Sequence, residues 1–100
     1  MFVHAVYFTL RTDLSDADRA LFVAWQPKLC GLPSVGAGYT GVPADTDRSV
    51  IDREYTHALV LLFADAAAEQ AYQVHPEHDR FKAECAGFWD TVRIFDSVSE

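Results

Sequence analysis

The sequence contains few basic side chains and no long apolar run. Lysine and arginine together number 8, against 15 aspartates and glutamates, and the formal net charge is −7. Nucleic acids and anionic membrane surfaces are recognised by concentrated positive charge, so we expect neither as a partner. The longest apolar run, Ala58–Ala64, is far shorter than the roughly 20 residues that a helix needs to cross a bilayer.

Cysteine is also scarce. Cys30 and Cys85 are far apart and form no CxxC or Cys/His spacing, which argues against a disulfide framework and a cysteine-based metal site. We expect both to be buried as small apolar residues. After Met1 the chain goes straight into an alternating strand pattern, without the basic region of a signal peptide. We therefore expect a cytoplasmic protein.

What the sequence does contain is enough apolar residues for one hydrophobic core. Half of the residues are apolar and 13% are aromatic, which fits a single domain over residues 1–100. Four segments have the composition of β-strands: 2–10, 34–42, 55–64 and 88–98. Three have helical spacing and N-terminal caps: 16–31, 66–74 and 76–86. This order predicts an α+β fold of the ferredoxin-like βαββαβ type, with a four-stranded antiparallel sheet and helices on one face.

The strand predicted over 55–64 is apolar on both of its faces. Val60 and Leu62 point to one side, and Leu59 and Leu61 point to the other. An antiparallel sheet that is open to water on one side should instead alternate apolar with polar residues. Because the helices can cover only one face, we expect a second copy to pack on the open face, giving a homodimer of the dimeric α+β barrel type.

The four histidines are expected to meet at one end of the sheet. We predict that the first and third strands are central, adjacent and parallel, so His4 and His57, each near the start of its strand, share that end. The helix after the third strand runs back toward it and brings Tyr72, His75 and His78 close. Apolar residues of the helix side could line a slot for a hydrophobic or aromatic ligand there: Phe8, Phe22, Leu59, Val92 and Ile94.

Several segments of the chain carry a family resemblance. They are His4–Leu10, Gly31–Val35, Tyr55–Val60, Ala71–His78 and Phe88–Asp96. The most specific is the pattern Tyr-x-x-His-Pro-x-His, which runs from Tyr72 to His78. With these segments the chain resembles the stress-responsive A/B barrel (Dabb) family, whose members are dimeric α+β barrels. Ser34, where the family often has glycine, is a minor departure.

The resemblance also implies a chemistry. Olivetolic acid cyclase-like polyketide cyclases of this family use a histidine and a tyrosine to close a ring by an aldol reaction, without a cofactor. By position, His78 would be the general base and Tyr72 the hydrogen-bond donor, with His4, His57 and His75 as neighbouring pocket residues. These residue types suit the reaction, because imidazole titrates near neutrality and a phenol can stabilise an enolate.

Other interpretations stay open. The same histidines are compatible with a non-catalytic stress-related or ligand-binding dimer in which they are structural. His75, His78 and Asp79 have a spacing that metal ligands use, but no further carboxylate completes a site, so we expect no metal and no cofactor. Dimeric α+β barrels also include cofactor-free monooxygenases and isomerases, so oxygen chemistry on an aromatic compound is an alternative by fold analogy.

Overall fold

The structure, a computed structural model, describes residues 1–100. Its strands are β1 (Phe2–Leu10), β2 (Ala37–Gly41), β3 (His57–Phe63) and β4 (Trp89–Val98). Its helices are α1 (Asp16–Cys30), α2 (Ala66–Gln73) and α3 (Pro76–Cys85), and a 3-10 turn at Ala86–Phe88 precedes β4. The strands form one antiparallel sheet in the order β2-β3-β1-β4, which confirms the predicted ferredoxin-like α+β fold. None of the helices combines the length and apolarity that crossing a membrane requires.

Each helix begins at a residue that can cap its free N–H groups. Ser15 caps α1 and Asp65 caps α2, each by accepting a backbone hydrogen bond on a side-chain oxygen. The cap of α3 is His75, whose Nδ1 accepts a hydrogen bond from the backbone of Glu77 at 3.0 Å. Pro76 follows at the first helical position, where its missing N–H leaves no bond unmade. His75 is therefore engaged in the turn between α2 and α3.

The direction in which β1 and β3 pair differs from the prediction. The two strands are central and adjacent, but they are antiparallel, so the parallel assignment is wrong. The crossover through α1 makes β1 and β2 parallel, and β3 lies between them, antiparallel to both. His57 therefore pairs with Phe8, whereas His4 pairs with Leu61. The two histidines lie at opposite ends of the β1–β3 pair, separated by four residues, or roughly 13 Å of strand.

The hydrophobic core lies between the sheet and the helices. As the alternation predicts, one face of β1 and β3 is buried beneath α1, α2 and α3. Aromatic rings fill most of the interior: Phe8, Phe22, Trp25, Phe63, Tyr72 and Phe81. A side chain at Gly38 would clash with Cys30, since its Cβ would lie 2.6 Å from the Cys30 Sγ, so glycine lets α1 pack closely on β2. Both cysteines are free; Cys85 is buried, and Cys30 is half-buried rather than buried as expected.

The opposite face of the sheet has no helix over it. A row of side chains crosses all four strands there, formed by Tyr39, Val60, Ala5 and Phe95. The ends of the row are exposed, with Phe95 at 59% and Tyr39 at 58% of their full accessible area. This open face, defined by that row, is the surface that the sequence predicts to need a second copy.

The segment 42–56 covers one corner of the open face. The ring of Tyr55 packs edge-on against Tyr7 with centroids 5.0 Å apart. Arg93 of β4 donates a hydrogen bond to Asp52 at 2.9 Å, which fastens the segment to the edge strand. This segment therefore folds back onto the sheet.

Candidate functional site

A pocket of about 240 Å³ opens between α3 and the helix-covered face of β1 and β4. It exists because β4 is an edge strand that the helices leave uncovered, so that Val92 remains 39% exposed and Ile94 51% exposed on that side. Seven of the predicted site residues line this pocket: His4, Phe8, Leu59, Tyr72, His78, Val92 and Ile94. We call it the β4 pocket.

His4 is held in the pocket wall by a carboxylate on the neighbouring strand. Pairing of β1 with β4 puts Asp96 directly beside His4, and the His4 Nδ1 lies 2.6 Å from the Asp96 Oδ1. An ionised carboxylate can only accept, so the His4 Nδ1 donates this hydrogen bond. His4 is only 4% exposed, whereas Asp96 remains partly in water. The pair fixes the orientation of a buried imidazole.

Tyr72 and His78 form the second polar element of the pocket. Tyr72 points inward from α2 and His78 from the first turns of α3, and their ring centroids are 4.7 Å apart. The ring of Tyr72 also lies 6.0 Å from that of His4, so all three polar rings are near one another. Both residues are buried, and the Nδ1 of His78 has no hydrogen-bond partner within the chain.

Burial shifts the pKa values of His78 and Tyr72 in opposite directions. It lowers the pKa of His78 below its usual value of 6.5, and the nearby ammonium of Lys82 lowers it further. It raises the pKa of Tyr72 far above its usual value of 10.0, with smaller contributions from Cys30 and Glu69. At neutral pH His78 is therefore a neutral imidazole and Tyr72 an intact phenol, which are the forms of a base and of a hydrogen-bond donor.

Two predicted site residues lie at the other end of the sheet. His57 packs against Phe22 with ring centroids 5.2 Å apart, and neither lines the β4 pocket. The Thr56 hydroxyl donates its one proton to the carbonyl of Phe8, so the His57 Nδ1, 3.1 Å away, must donate to Thr56. Burial lowers the pKa of His57, with Arg19 as a second cause. The prediction that His57 lies beside His4 is wrong, because β1 and β3 pair in antiparallel directions.

His75 does not join the pocket either, because its ring is turned back to cap α3. The cap also occupies the Nδ1 of His75, one of the three residues, with His78 and Asp79, whose spacing resembles that of metal ligands. No three histidine, cysteine or acidic side chains come close enough to hold a metal ion. Of the polar residues predicted to converge, the structure brings together His4, Tyr72 and His78.

A family model describing the stress-responsive A/B barrel domain matches residues 2–99. The chain belongs to the stress-responsive A/B barrel family. The resemblance read from the Tyr72–His78 pattern is thus confirmed at the level of the family. No curated protein sequence is a significant match to the chain.

Solved structures support the same fold for this family member. A Dabb family protein with a ferredoxin-like fold from Mesorhizobium loti is 24% identical, with 99% of this chain and 96% of that one covered, at a TM-score of 0.78. The hydroxynitrile lyase from Passiflora edulis is 20% identical, with 99% of this chain and 93% of that one covered, at a TM-score of 0.80. A dimeric ferredoxin-like protein of unknown function from Thermobifida fusca is 18% identical, with 98% of this chain and 90% of that one covered, at a TM-score of 0.77. At these identities the similarity establishes the fold alone.

Five residues of the pocket lining were not predicted as site residues from the sequence: Val6, Gln73, Phe81, Lys82 and Trp89. Asp96, which holds His4 from outside the lining, was not predicted either. Asp96 contacts His4 because β1 pairs with β4. The two residues are 92 positions apart, so no local sequence pattern indicates the contact. Lys82 could have been found, because it follows His78 by four residues on α3 and so lies on the same helix face. Trp89 closes the floor of the β4 pocket beside Phe8 and Phe81.

Proposed function

We propose that this stress-responsive A/B barrel protein is a homodimeric, cofactor-independent enzyme that moves a proton beside the carbonyl of a small polyketide-like or aromatic compound, as a cyclase or isomerase does. The observation that supports this most is the packing of Tyr72 against His78 in a pocket that is apolar and open to solvent along β4. A base and a hydrogen-bond donor close together are the two groups that enolisation requires.

His78 is the proposed general base. Its imidazole is neutral at pH 7 because burial lowers its pKa, so it is ready to accept a proton from carbon. In this step the C–H bond breaks, the proton moves to a ring nitrogen of His78, and the electron pair forms an enolate. The enolate carbon then either bonds to a second carbonyl carbon of the same molecule or takes a proton back at another position.

Tyr72 is the proposed donor to the enolate oxygen. Burial raises the pKa of the phenol, so it stays protonated throughout the pH range in which His78 is neutral. A donor already fixed in a site with little water stabilises developing negative charge without having to reorient. His4, held by Asp96 at 2.6 Å, is a positioning residue that fixes the polar side of the pocket.

The rest of the pocket suits a small apolar ligand. Val92 and Ile94 form the wall on β4, and Phe81 and Trp89 add aromatic surface to the lining. The volume of about 240 Å³ is below the ~300–1,000 Å³ typical of pockets for drug-sized molecules, which favours a compound of about one ring. A neighbour with the same fold, the Passiflora edulis enzyme, is a hydroxynitrile lyase, so a lyase activity is compatible with this architecture.

The second copy is proposed to pack on the open face. The row of Tyr39, Val60, Ala5 and Phe95 is apolar and its ends are exposed, which favours burial against an identical surface. The similar proteins from Thermobifida fusca and Jannaschia are dimeric. Phe95→Asp should convert the dimer to a monomer in sedimentation analysis, whereas Asp90→Asn on the same strand should not.

The second candidate is a non-catalytic small-ligand-binding dimer. The rings of Tyr72 and His78 in the pocket lining and the half-open wall at Ile94 are equally suited to binding without turnover. In that case the His78 and Tyr72 rings would recognise the ligand and no bond would break.

The deciding experiment is a turnover and binding screen with polyketide-type thioesters and aromatic ketones. We expect His78→Ala to lower kcat/KM by about 10²–10⁴-fold, the usual contribution of a positioned general base. His57→Gln is the control, because His57 is a half-buried histidine whose pKa is also lowered by burial but which lies outside the pocket, and it should retain activity. If wild type turns over no compound, or if His78→Ala equals wild type while remaining folded, the enzymatic proposal is wrong.

A further inference from the structure

The lining of the β4 pocket includes one ammonium, that of Lys82, and no carboxylate. Two acids lie beside the lining and are engaged by it, Asp96 by His4 and Glu69 by Gln73. Its polar lining consists of His4, Tyr72, Gln73, His78 and Lys82. No aspartate or glutamate is part of the lining, although the chain has 15 acidic and 8 basic residues. A pocket for a cation would not be expected to place an ammonium in its lining and leave every carboxylate outside it.

The ammonium of Lys82 is available for a ligand. Its closest acidic partner is Asp79, whose Oδ1 is 3.7 Å from the Lys82 Nζ, beyond hydrogen-bond distance. The side chains are 52% and 65% exposed, and a pair so accessible to water contributes little. Lys82 can therefore turn to an anion in the pocket without losing a strong interaction.

Lys82 also has the right position relative to the reacting groups. It stands four residues after His78 on α3, so the two side chains share one helix face at the pocket. An anion bound by Lys82 would be held at the rim, about one helical turn from His78 and Tyr72. The remainder of the molecule would then extend along the wall formed by Val92 and Ile94.

We propose that the substrate carries a carboxylate that binds Lys82, while the carbonyl group of the substrate contacts Tyr72 and His78. This inference rests on the proposed function. A carboxylate fits better than a phosphate ester, because one ammonium matches one negative charge and no arginine lines the pocket. The substrate class is thus a small aromatic or oxo acid rather than a neutral ketone.

The test compares acetylbenzoates with their methyl esters, which differ in the charge and keep the ring and the methyl ketone. Binding is measured by calorimetry and located by NMR of the histidine rings. Wild type should bind at least one acid about 5- to 20-fold more tightly than its ester, as expected for a partly exposed charge-assisted hydrogen bond. Lys82→Gln should remove this preference. Lys28→Gln is the matched control, since Lys28 lies over the ring of Trp25 on α1.

Equal binding of acid and ester, or a preference that survives in Lys82→Gln, overturns the carboxylate assignment. If His78-dependent turnover of neutral ketones is then observed, the proposed function stands without it. If neither acid nor ester perturbs the rings of His4 and His78, the carboxylate assignment and the proposed function both fail.

Discussion

The two ends of the helix-covered face contain the same kind of residue in different surroundings. At one end His4 and His78 meet Tyr72 beside an uncovered strand, and a pocket results. At the other end His57 packs edge-on against Phe22 within a set of aromatic rings. The difference lies in the cover rather than the composition: where α3 leaves β4 open, buried polar rings can be reached by a ligand.

The largest expected effect is a loss of stability at the aromatic end, where His57 packs against Phe22. Phe22 is completely buried between Phe8 and Phe81, so Phe22→Ala should lower the free energy of unfolding by about 3–5 kcal/mol. Val92→Ala, in the half-open pocket wall, should cost less than about 1 kcal/mol. Urea unfolding followed by circular dichroism measures both. Equal losses for the two variants would mean that the pocket wall is as tightly packed as the core.

The next effect concerns the pocket end. Tyr72→Phe removes one hydroxyl and keeps the ring, so the fold should persist while kcat/KM falls by about 10²–10³-fold, as for loss of one oxyanion donor. Tyr55→Phe, on the open side of the sheet, makes the same change outside the pocket and should leave the rate unaltered. Retention of full activity by Tyr72→Phe would restrict Tyr72 to a packing role.

A smaller effect is expected for the carboxylate that orients His4. Asp96→Asn replaces a charge-assisted hydrogen bond with a neutral one, and because Asp96 is partly exposed the loss of stability should be about 1 kcal/mol or less. The downfield proton resonance of His4 Nδ1–H should move upfield in the variant. An unchanged resonance would show that the Asp96 carboxylate does not hold that proton.

The smallest effect is a pH dependence shared by both ends. Burial lowers the pKa of His57 and His78 below 6.5, so below pH 6.5 the unfolded chain binds more protons than the folded one, and stability falls as the pH decreases. The slope fades roughly one pH unit above 6.5, where the unfolded histidines are neutral as well. Each histidine should contribute well below the roughly 1.4 kcal/mol per pH unit that uptake of one whole proton would give.

Urea unfolding at pH 7.0 and pH 5.5 tests this sign. The loss of stability on acidification should be smaller in His78→Gln and in His57→Gln than in wild type. A loss that is the same in all three proteins would assign the effect to other groups, and a gain of stability at pH 5.5 would contradict the direction of both shifts.

Local patterns in the sequence predict the elements of the fold well. The alternation of His4, Val6 and Phe8 identifies the buried face of β1, and its parity places His4 beneath the helices. His75 before Pro76 predicts the break between α2 and α3, because a residue before proline avoids the helical region and proline suits a first helical position. Each of these features is decided by residues within one turn or one strand of each other.

Relations between distant strands could not be obtained in the same way. The direction of β3 relative to β1 follows from its insertion between β1 and β2, and nothing within His57–Phe63 encodes it. Because the strands were assumed to be parallel, His57 was predicted at the His4 end of the sheet and assigned to the wrong site. The partnership of Asp96 with His4 depends on register across 92 residues, so it appears only when the sheet is assembled.

The central claim is that the β4 pocket removes a proton next to a carbonyl by means of His78 and Tyr72. Its most direct test is NMR observation of deuterium exchange at the methyl group of an acetylbenzoate or aryl methyl ketone in D₂O. Wild type should accelerate exchange well beyond the rate in buffer, His57→Gln should match wild type, and His78→Ala should fall to the buffer rate. Exchange at the buffer rate with wild-type protein, or equal acceleration by His78→Ala, would contradict the claim.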